Sequence, residues 1–308
     1  MNIDERDVVA ARFGVAPEQV ERDHLISHLL AVLSDRFADR LHFIGGTALA
    51  RTHLVDGRLS EDIDLVALGN RTELAAEIDA ALPRAVARTH GRLSWEPALG
   101  TVRDTAAAHL RTASGLTVKV QLLSSKDRTV WPAETRALAQ RYLDSPPAQL
   151  TVPTRAAFAA SKTATWHDRR ASRDLWNLWA LAGIGAIDDE AADLYRQHGP
   201  TGKPPGGHLF VTPPTDNDWT AQLAGQTQLS VTARDALIAV GAAWARVTEP
   251  EPCRKMESRG RHRRRGPRRD TQAHRARGQG QHRIPRTRRP QGSRRSGAGK
   301  RRRPRVCA

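Results

Sequence analysis

Residues 43–66 read FIGGTALARTHLVDGRLSEDIDLV, and this segment decides the fold. Leu41 to Ile44 is a short, mostly apolar run that stops at Gly45-Gly46, and Thr47 to Leu54 follows with a helical pattern. Two glycines at that junction predict a strand-to-helix turn. Glycine lets the backbone approach an anion closely, while the helix start offers free N–H groups and the positive end of its dipole. Gly45 and Gly46 therefore suit a triphosphate, and Thr47 adds a hydroxyl donor.

Asp62 and Asp64 alternate with Ile63, Leu65 and Val66 in a strand pattern. The two-residue period of a strand puts both carboxylates on one face and turns Ile63 to the core. Adjacent acids repel unless a cation lies between them. Magnesium, or manganese in its place, fits because it takes oxygen ligands, commonly one or two carboxylates plus substrate phosphates. Such a pair activates an attacking hydroxyl and neutralises charge on a leaving pyrophosphate. Alternating acids also occur on ordinary solvated strand edges; the Gly-Gly-Thr turn upstream is what points to chemistry. Turn and carboxylates together read as a nucleotidyltransferase site that binds an NTP. Arg58 and Ser60 flank the acids, Arg58 in reach of either the triphosphate or Glu61.

Four stretches in a fixed order, VERDHLISHLL (20–30), FIGGTALA (43–50), RLSEDIDLV (58–66) and SKTATWHDRRASRDLWNLWAL (161–181), resemble the AbiEii/MenT-type nucleotidyltransferase toxins. These are a branch of the polymerase-beta-like nucleotidyltransferases, and the resemblance covers about residues 18 to 245. It implies an α/β (α+β) fold, with a mixed-sheet nucleotidyltransferase domain and N-terminal helices over 1–150. A helical domain over 151–249 would complete the cleft. Lys162 and Asp174 match the family's lysine and aspartate: the lysine as a point charge on the triphosphate, the aspartate orienting basic groups. Arg169 or Arg173 would grip phosphate or RNA backbone, since a guanidinium fork matches phosphate geometry. The implied activity is transfer of nucleotides from an NTP to RNA, with a tRNA 3′ end as acceptor, blocking translation and growth. A cognate antitoxin protein is the implied partner.

The chain departs from the family pattern twice. A third carboxylate is expected on a neighbouring strand, yet Leu116 to Leu123 offers Lys119 and Gln121; Asn177 stands where many relatives carry aspartate. Two other readings therefore stay open: a small-molecule nucleotidyltransferase of the antibiotic-modifying sort, and a catalytically weak nucleic-acid-binding relative. Ser60 lies two residues before Asp62, and a phosphate there would add about −1.5 to −2 charge beside two acids. That makes it a candidate regulatory phosphosite for an antitoxin with kinase activity.

Charge is divided unevenly. Residues 251–308 hold 22 Lys+Arg against 3 Asp+Glu, whereas residues 1–250 hold 27 against 30, so the formal +16 says little about the folded part. A tail with so few large apolar residues cannot offset the entropy of ordering, and disorder is expected over 250–308. It reads either as a basic arm that binds nucleic acid with strong salt dependence or as out-of-frame reading of GC-rich coding DNA. Both cysteines, Cys253 and Cys307, fall in it, which favours a reducing, cytoplasmic setting. No stretch of about 18 apolar residues occurs, so no membrane span is expected.

Periodicity predicts helices over 4–13, 17–36 and 71–88, with strands at Leu93 to Trp95, Ala107 to Thr112 and Leu116 to Leu123. Ala113-Ser114-Gly115 joins the last two strands as a hairpin. Pro146-Pro147 and Pro153 read as a linker, after which Thr154 to Leu181 reads as helical. Further helices are predicted over 188–198, 219–223 and 232–247, with Gly199 to Pro214 as a loop over or beside the cleft. Arg22 and Asp23 read as a structural brace, Arg170 as a surface salt-bridging residue, and Trp166, Trp176 and Trp179 as core packing. His42, His53 and His90 read as isolated histidines without a metal role.

Overall fold

A computed structural model describes residues 1–126 and 128–248; the tail over 250–308, with both cysteines, lies outside the described residues. Helices α1 (Ile3–Phe13) and α2 (Pro17–Phe37) open the chain, and Pro17 sits at the first turn of α2, where its missing N–H costs nothing. α2 lays Leu25, Ile26, Leu29 and Leu33 into the core.

β1 (Leu41–Ile44) ends where Gly45 adopts φ 82°, a left-handed value that strains any residue with a side chain. The chain turns there into α3 (Gly45–Thr52) and returns as β2 (Asp62–Ala67), antiparallel to β1 with Ile44 opposite Asp64. Alternation in β2 works as predicted: Ile63 and Leu65 are fully buried, while Asp62 and Asp64 are half-buried on the other face.

α4 (Arg71–Ala85), capped by the Asn70 side chain, and the single turn α5 (Ala87–His90) lead into β3 (Leu93–Trp95) and β4 (Ala108–Thr112). β5 (Thr117–Ser124) pairs back on β4 across the predicted 113–115 turn. It also runs parallel to β2, setting Lys119 opposite Asp62 and Gln121 opposite Asp64.

The 146–153 region is not the expected linker. β6 (Ala133–Ala137) and β7 (Gln149–Pro153) form an antiparallel pair, and β7 joins β1 in parallel. Pro153 is tolerated because it is the last residue of its strand, where a missing donor does least harm. Among the described residues the sheet orders β3-β4-β5-β2-β1-β7-β6, a mixed α/β arrangement as expected, with the carboxylate strand β2 at its centre.

The helical stretch expected over 154–181 forms as two helices. α6 (Arg155–Arg169) is capped by Thr154 and stops at Arg170, a non-glycine residue at φ 54°. The Arg170 guanidinium lies 5.0 Å above the Trp166 ring and donates to the Leu209 carbonyl, so it locks a break rather than making surface salt bridges. α7 (Ser172–Gly183) follows, then α8 (Asp189–His198), α9 (Asp216–Leu223) and α10 (Ala233–Thr248). Trp166, Trp176 and Trp244 are all buried between these helices, and burial of a large apolar side chain is worth about 1.5–3 kcal/mol. The 199–214 segment packs on α6 and α10, through the Leu209 carbonyl and Phe210, and contributes no residue to the cleft described below. No helix among the described residues is long and apolar enough to cross a membrane.

Candidate active site

The turn from β1 into α3 presses directly on the carboxylate strand. A Cβ on Gly45 would lie 2.2 Å from Asp64 Oδ2, and one on Gly46 would lie 2.6 Å from Arg58 Nη2 and 3.3 Å from Ser60 Oγ. At residue 45 the φ of 82° and the Asp64 contact together demand glycine; at 46 a side chain would displace the end of Arg58. No side chain caps the first turn of α3, which leaves its early N–H groups to an incoming ligand. Thr47 is placed differently from its expected role: it is buried, and its hydroxyl donates to the Asp62 carbonyl. It ties the turn to β2, and its hydroxyl is not available to phosphate.

Asp62, Asp64, Gly46, Arg58, Ser60, Lys162, Arg169, Arg173 and Asp174 converge on one cleft of about 130 Å³, joined by Lys119, Gln121 and Asn177. Five cationic side chains face three carboxylates there, an excess that suits a polyanion. Burial, and then the charge of Asp62, push the Asp64 carboxyl up to about 6, against the pull of Lys162. A divalent cation relieves that state, and the all-oxygen donor pair fits magnesium.

Lys162 and Asp174 meet at 3.7 Å, both nearly inaccessible to solvent. Arg169 completes the group with a two-pronged contact, Nε to Oδ2 at 2.7 Å and Nη2 to Oδ1 at 3.1 Å. Burial alone would raise Asp174, but Lys162 and Arg169 hold it below the usual carboxylate range. Burial pushes the Lys162 ammonium down, with Asp174 opposing. The α6–α7 break makes this geometry: it brings the first turn of α7, with Asp174, back against the end of α6.

Arg58 is buried, donating from Nε to Asn177 Oδ1 at 3.3 Å and from Nη1 to Gln226 Oε1. Burial, followed by the charge of Arg173, lowers its pKa to about 10. Glu61 pairs instead with Arg22 at 3.3 Å, so the Arg58–Glu61 pairing is not formed. Asn177 thus serves as the acceptor that holds Arg58. Arg173 is exposed in the cleft lining, with no ion pair among the described residues. A third carboxylate is absent from β5: Gln121 Nε2 donates to the Thr105 carbonyl at 2.8 Å, and Lys119 Nζ stands 3.4 Å from Asp62 Oδ2.

Asp23 forms the brace expected of it. It accepts from Arg51 Nη2 at 2.8 Å and from Tyr142 Oη at 3.0 Å, fastening α3 to α2 behind the turn. Lys119, read only as standing on the strand where a third carboxylate was expected, lines the cleft beside Asp62. His90 is not isolated: its Nε2 lies 2.9 Å from His24 Nδ1. The i, i+4 pair His24 and His28 was the overlooked signal. A larger, apolar cavity of about 560 Å³, lined by Trp176 and Trp179 among others, contains no carboxylate pair and is not where this chemistry lies.

Comparison with known proteins agrees with the geometry. MenT4, the nucleotidyltransferase toxin Rv2826c from Mycobacterium tuberculosis H37Rv, has a similar structure at TM-score 0.58 and 20% identity, over 80% of this chain and 90% of its own. An antigenic nucleotidyltransferase-like protein from Paracoccidioides brasiliensis aligns at TM-score 0.33 and 14% identity, over 53% of this chain and 77% of its own. Terminal uridylyl transferase 4 from Trypanosoma brucei with bound UTP aligns at TM-score 0.22 and 15% identity, over 74% and 70%. These last two are too distant to carry an argument. No curated protein matches the chain in sequence. The family model described as "Nucleotidyl transferase AbiEii toxin, Type IV TA system" matches residues 28–247, and the chain belongs to that family.

Proposed function

We propose that this chain is a metal-dependent toxin that transfers nucleotides from an NTP to an RNA acceptor, a tRNA 3′ end, and so blocks translation and growth in the cytoplasm. The observation that carries the reading is the juxtaposition of Gly45 with Asp64: an uncapped helix start and two aligned carboxylates in a cleft with excess positive charge. In this reading the mixed-sheet part, which runs through β7 to Pro153 rather than ending at 150, holds the NTP, and the helices from α6 onward supply the basic wall. A cognate antitoxin is the expected partner, as the family description implies.

The backbone N–H groups of Gly46 and Thr47 cradle the triphosphate at the start of α3. Lys162 places a fixed positive charge against it, and Arg58, held by Asn177 and Gln226, gives a pre-aimed guanidinium. Asp174 fixes the Lys162 and Arg169 head groups, so that their orientation needs no reorganisation during reaction. Arg173 and Arg169 receive the backbone of the acceptor strand. Asp62 and Asp64 would hold magnesium or manganese, which supplies charge neutralisation on the α-phosphate and the departing pyrophosphate. The acceptor hydroxyl oxygen bonds to the α-phosphorus, the bond from that phosphorus to the bridging oxygen breaks, and pyrophosphate leaves as the hydroxyl proton is released.

The test is incubation of the purified protein with labelled NTPs, total tRNA and magnesium. Label on the tRNA 3′ end, absent with Asp64→Ala, is the expected result. Label on a small molecule alone, or NTP binding without transfer, would overturn the RNA assignment.

A further inference from the structure

Outside the cleft, the densest cluster of ligand-type side chains joins α2, α5 and the loop between β6 and β7. His24 and His28 sit one helical turn apart on the same face of α2, both buried, and Asp144 reaches them from the loop. His24 Nε2 lies 2.9 Å from Asp144 Oδ1 and 3.2 Å from His28 Nε2; His28 Nε2 lies 4.0 Å from the same carboxylate oxygen. Bonds of about 2.0–2.1 Å to a tetrahedral ion place ligand atoms about 3.3–3.4 Å apart. The three observed separations bracket that value.

The hydrogen bonds around the cluster permit a ligating tautomer. Thr89 Oγ1 lies 3.1 Å from the Val86 carbonyl and 2.9 Å from His90 Nδ1, and its single proton serves one or the other. When Thr89 donates to Val86, His90 Nδ1 donates to Thr89 and His90 Nε2 accepts from His24 Nδ1 at 2.9 Å. In that tautomer neutral His24 turns its Nε2 lone pair to the Asp144 carboxylate and His28, the form that ligates a metal; in the other, His24 Nε2 donates to Asp144. Imidazole ligands select zinc-like transition ions, whereas magnesium prefers oxygen. Asp144 Oδ2 is held by the Met1 ammonium, which leaves Oδ1 to face His24, and the side chain is 42% exposed, which gives an ion its way in.

We infer that His24, His28 and Asp144 form a binding site for a zinc-class divalent ion, with His90 holding His24 in its ligating tautomer. None of these residues lines the nucleotide cleft. The ion would pin α2 to the β6–β7 loop beside Asp23 and Tyr142, the pair that secures Arg51 of α3. Its role is that of a structural brace behind the phosphate turn, separate from the magnesium that the catalytic reading invokes.

The experiment titrates the chelator-stripped full chain with Co2+ as a visible probe, then with Zn2+. One Co2+ per chain with four-coordinate d–d absorption, displaced by Zn2+ and not by Mg2+, is the expected result, together with a higher Tm. The band should vanish in His28→Ala and Asp144→Asn, and should persist in Asp64→Ala, which separates this site from the catalytic one. His90→Ala should weaken binding about 10–100-fold, as loss of an outer-shell partner does. Melting in chelator checks that each variant folds; if His28→Ala does not, Asp144→Asn decides, because its side chain is partly exposed. A wild type without the band, or an Asp144→Asn protein that keeps it, would overturn the site and assign any binding to other groups.

Discussion

Gly45 and Asp64 stand so close that a methyl group on the glycine would lie 2.2 Å from the carboxylate oxygen Oδ2. The β1–β2 register makes this contact, since Ile44 pairs with Asp64 and the next residue turns toward the same face. Gly45→Ala therefore meets two penalties, the φ of 82° and a displaced Asp64. We expect destabilisation of about 1–3 kcal/mol, read as a Tm drop of roughly 2–4 °C per kcal/mol. Nucleotide transfer should fall much further than stability. An alanine variant with unchanged Tm and transfer would show that this close approach is dispensable.

The Asp64 carboxyl yields a pH test in the absence of metal. Burial first, and then Asp62, raise its pKa from 3.8 to about 6. The native protein thus holds this proton more tightly than the unfolded chain, so the contribution to stability is full below about pH 4 and is lost as pH rises through about 6. In chelator, Asp64→Asn should melt above wild type at pH 7.5, and the gap should close by pH 4. Added magnesium should raise the wild-type Tm at pH 7.5 without raising that of the variant. A gap that does not change with pH would mean that Asp64 is not charged against its surroundings.

Asp174 bears on both stability and activity, whereas Arg169 bears mainly on activity. Asp174 is nearly inaccessible and faces Lys162, so Asp174→Asn leaves a buried ammonium short of its nearest counter-charge. Breaking a buried pair in this way costs about 3–5 kcal/mol. Arg169 is half exposed, and water can solvate what its loss uncovers. Calorimetry should show a far larger Tm drop for Asp174→Asn than for Arg169→Ala, while both lose transfer. Equal Tm values for the two variants would show that Lys162 is compensated by other groups.

The parts of this molecule readable in the chain were those governed by local rules. The Gly-Gly turn and the alternating Asp62-Ile63-Asp64 run carry their geometry in adjacent residues, and both form as read. Lys162 and Asp174 came from the family resemblance, and their contact depends on a helix break that carries no sequence mark: Arg170 adopts a left-handed conformation that is usual for glycine, stabilised by Trp166 and Leu209. β7 was hidden by Pro153 at its end and by Pro146-Pro147 just before it, because proline marks a strand end as readily as a loop. The histidine cluster had a local half, His24 and His28, and a remote half. His90 and Asp144 join it from 66 and 120 residues away, separations that no periodicity reveals.

Ser60 is where charge would control the cleft most directly. It lines the cavity with Asp62, Asp64 and Arg58, and its Oγ lies 3.3 Å from the point where a Gly46 Cβ would be, with Arg58 Nη2 at 2.6 Å from that same point. A negative group on residue 60 acts in two ways. It repels the triphosphate and competes for the cation at the carboxylate pair, and it draws the Arg58 guanidinium away from the nucleotide. Ser60→Asp should therefore abolish transfer and growth inhibition, whereas Ser60→Ala, which removes only a hydroxyl, should keep most of both. Because Ser60 is 8% exposed, a kinase could reach it only after the 57–60 loop parts from Gln226 and Thr227, which hold it through Leu59 N–H and the Gly57 carbonyl. Thr227→Val, which removes one of those ties, should speed phosphorylation of Ser60 by an antitoxin kinase. Equal activity of the Asp and Ala variants would show that negative charge at residue 60 does not govern the site.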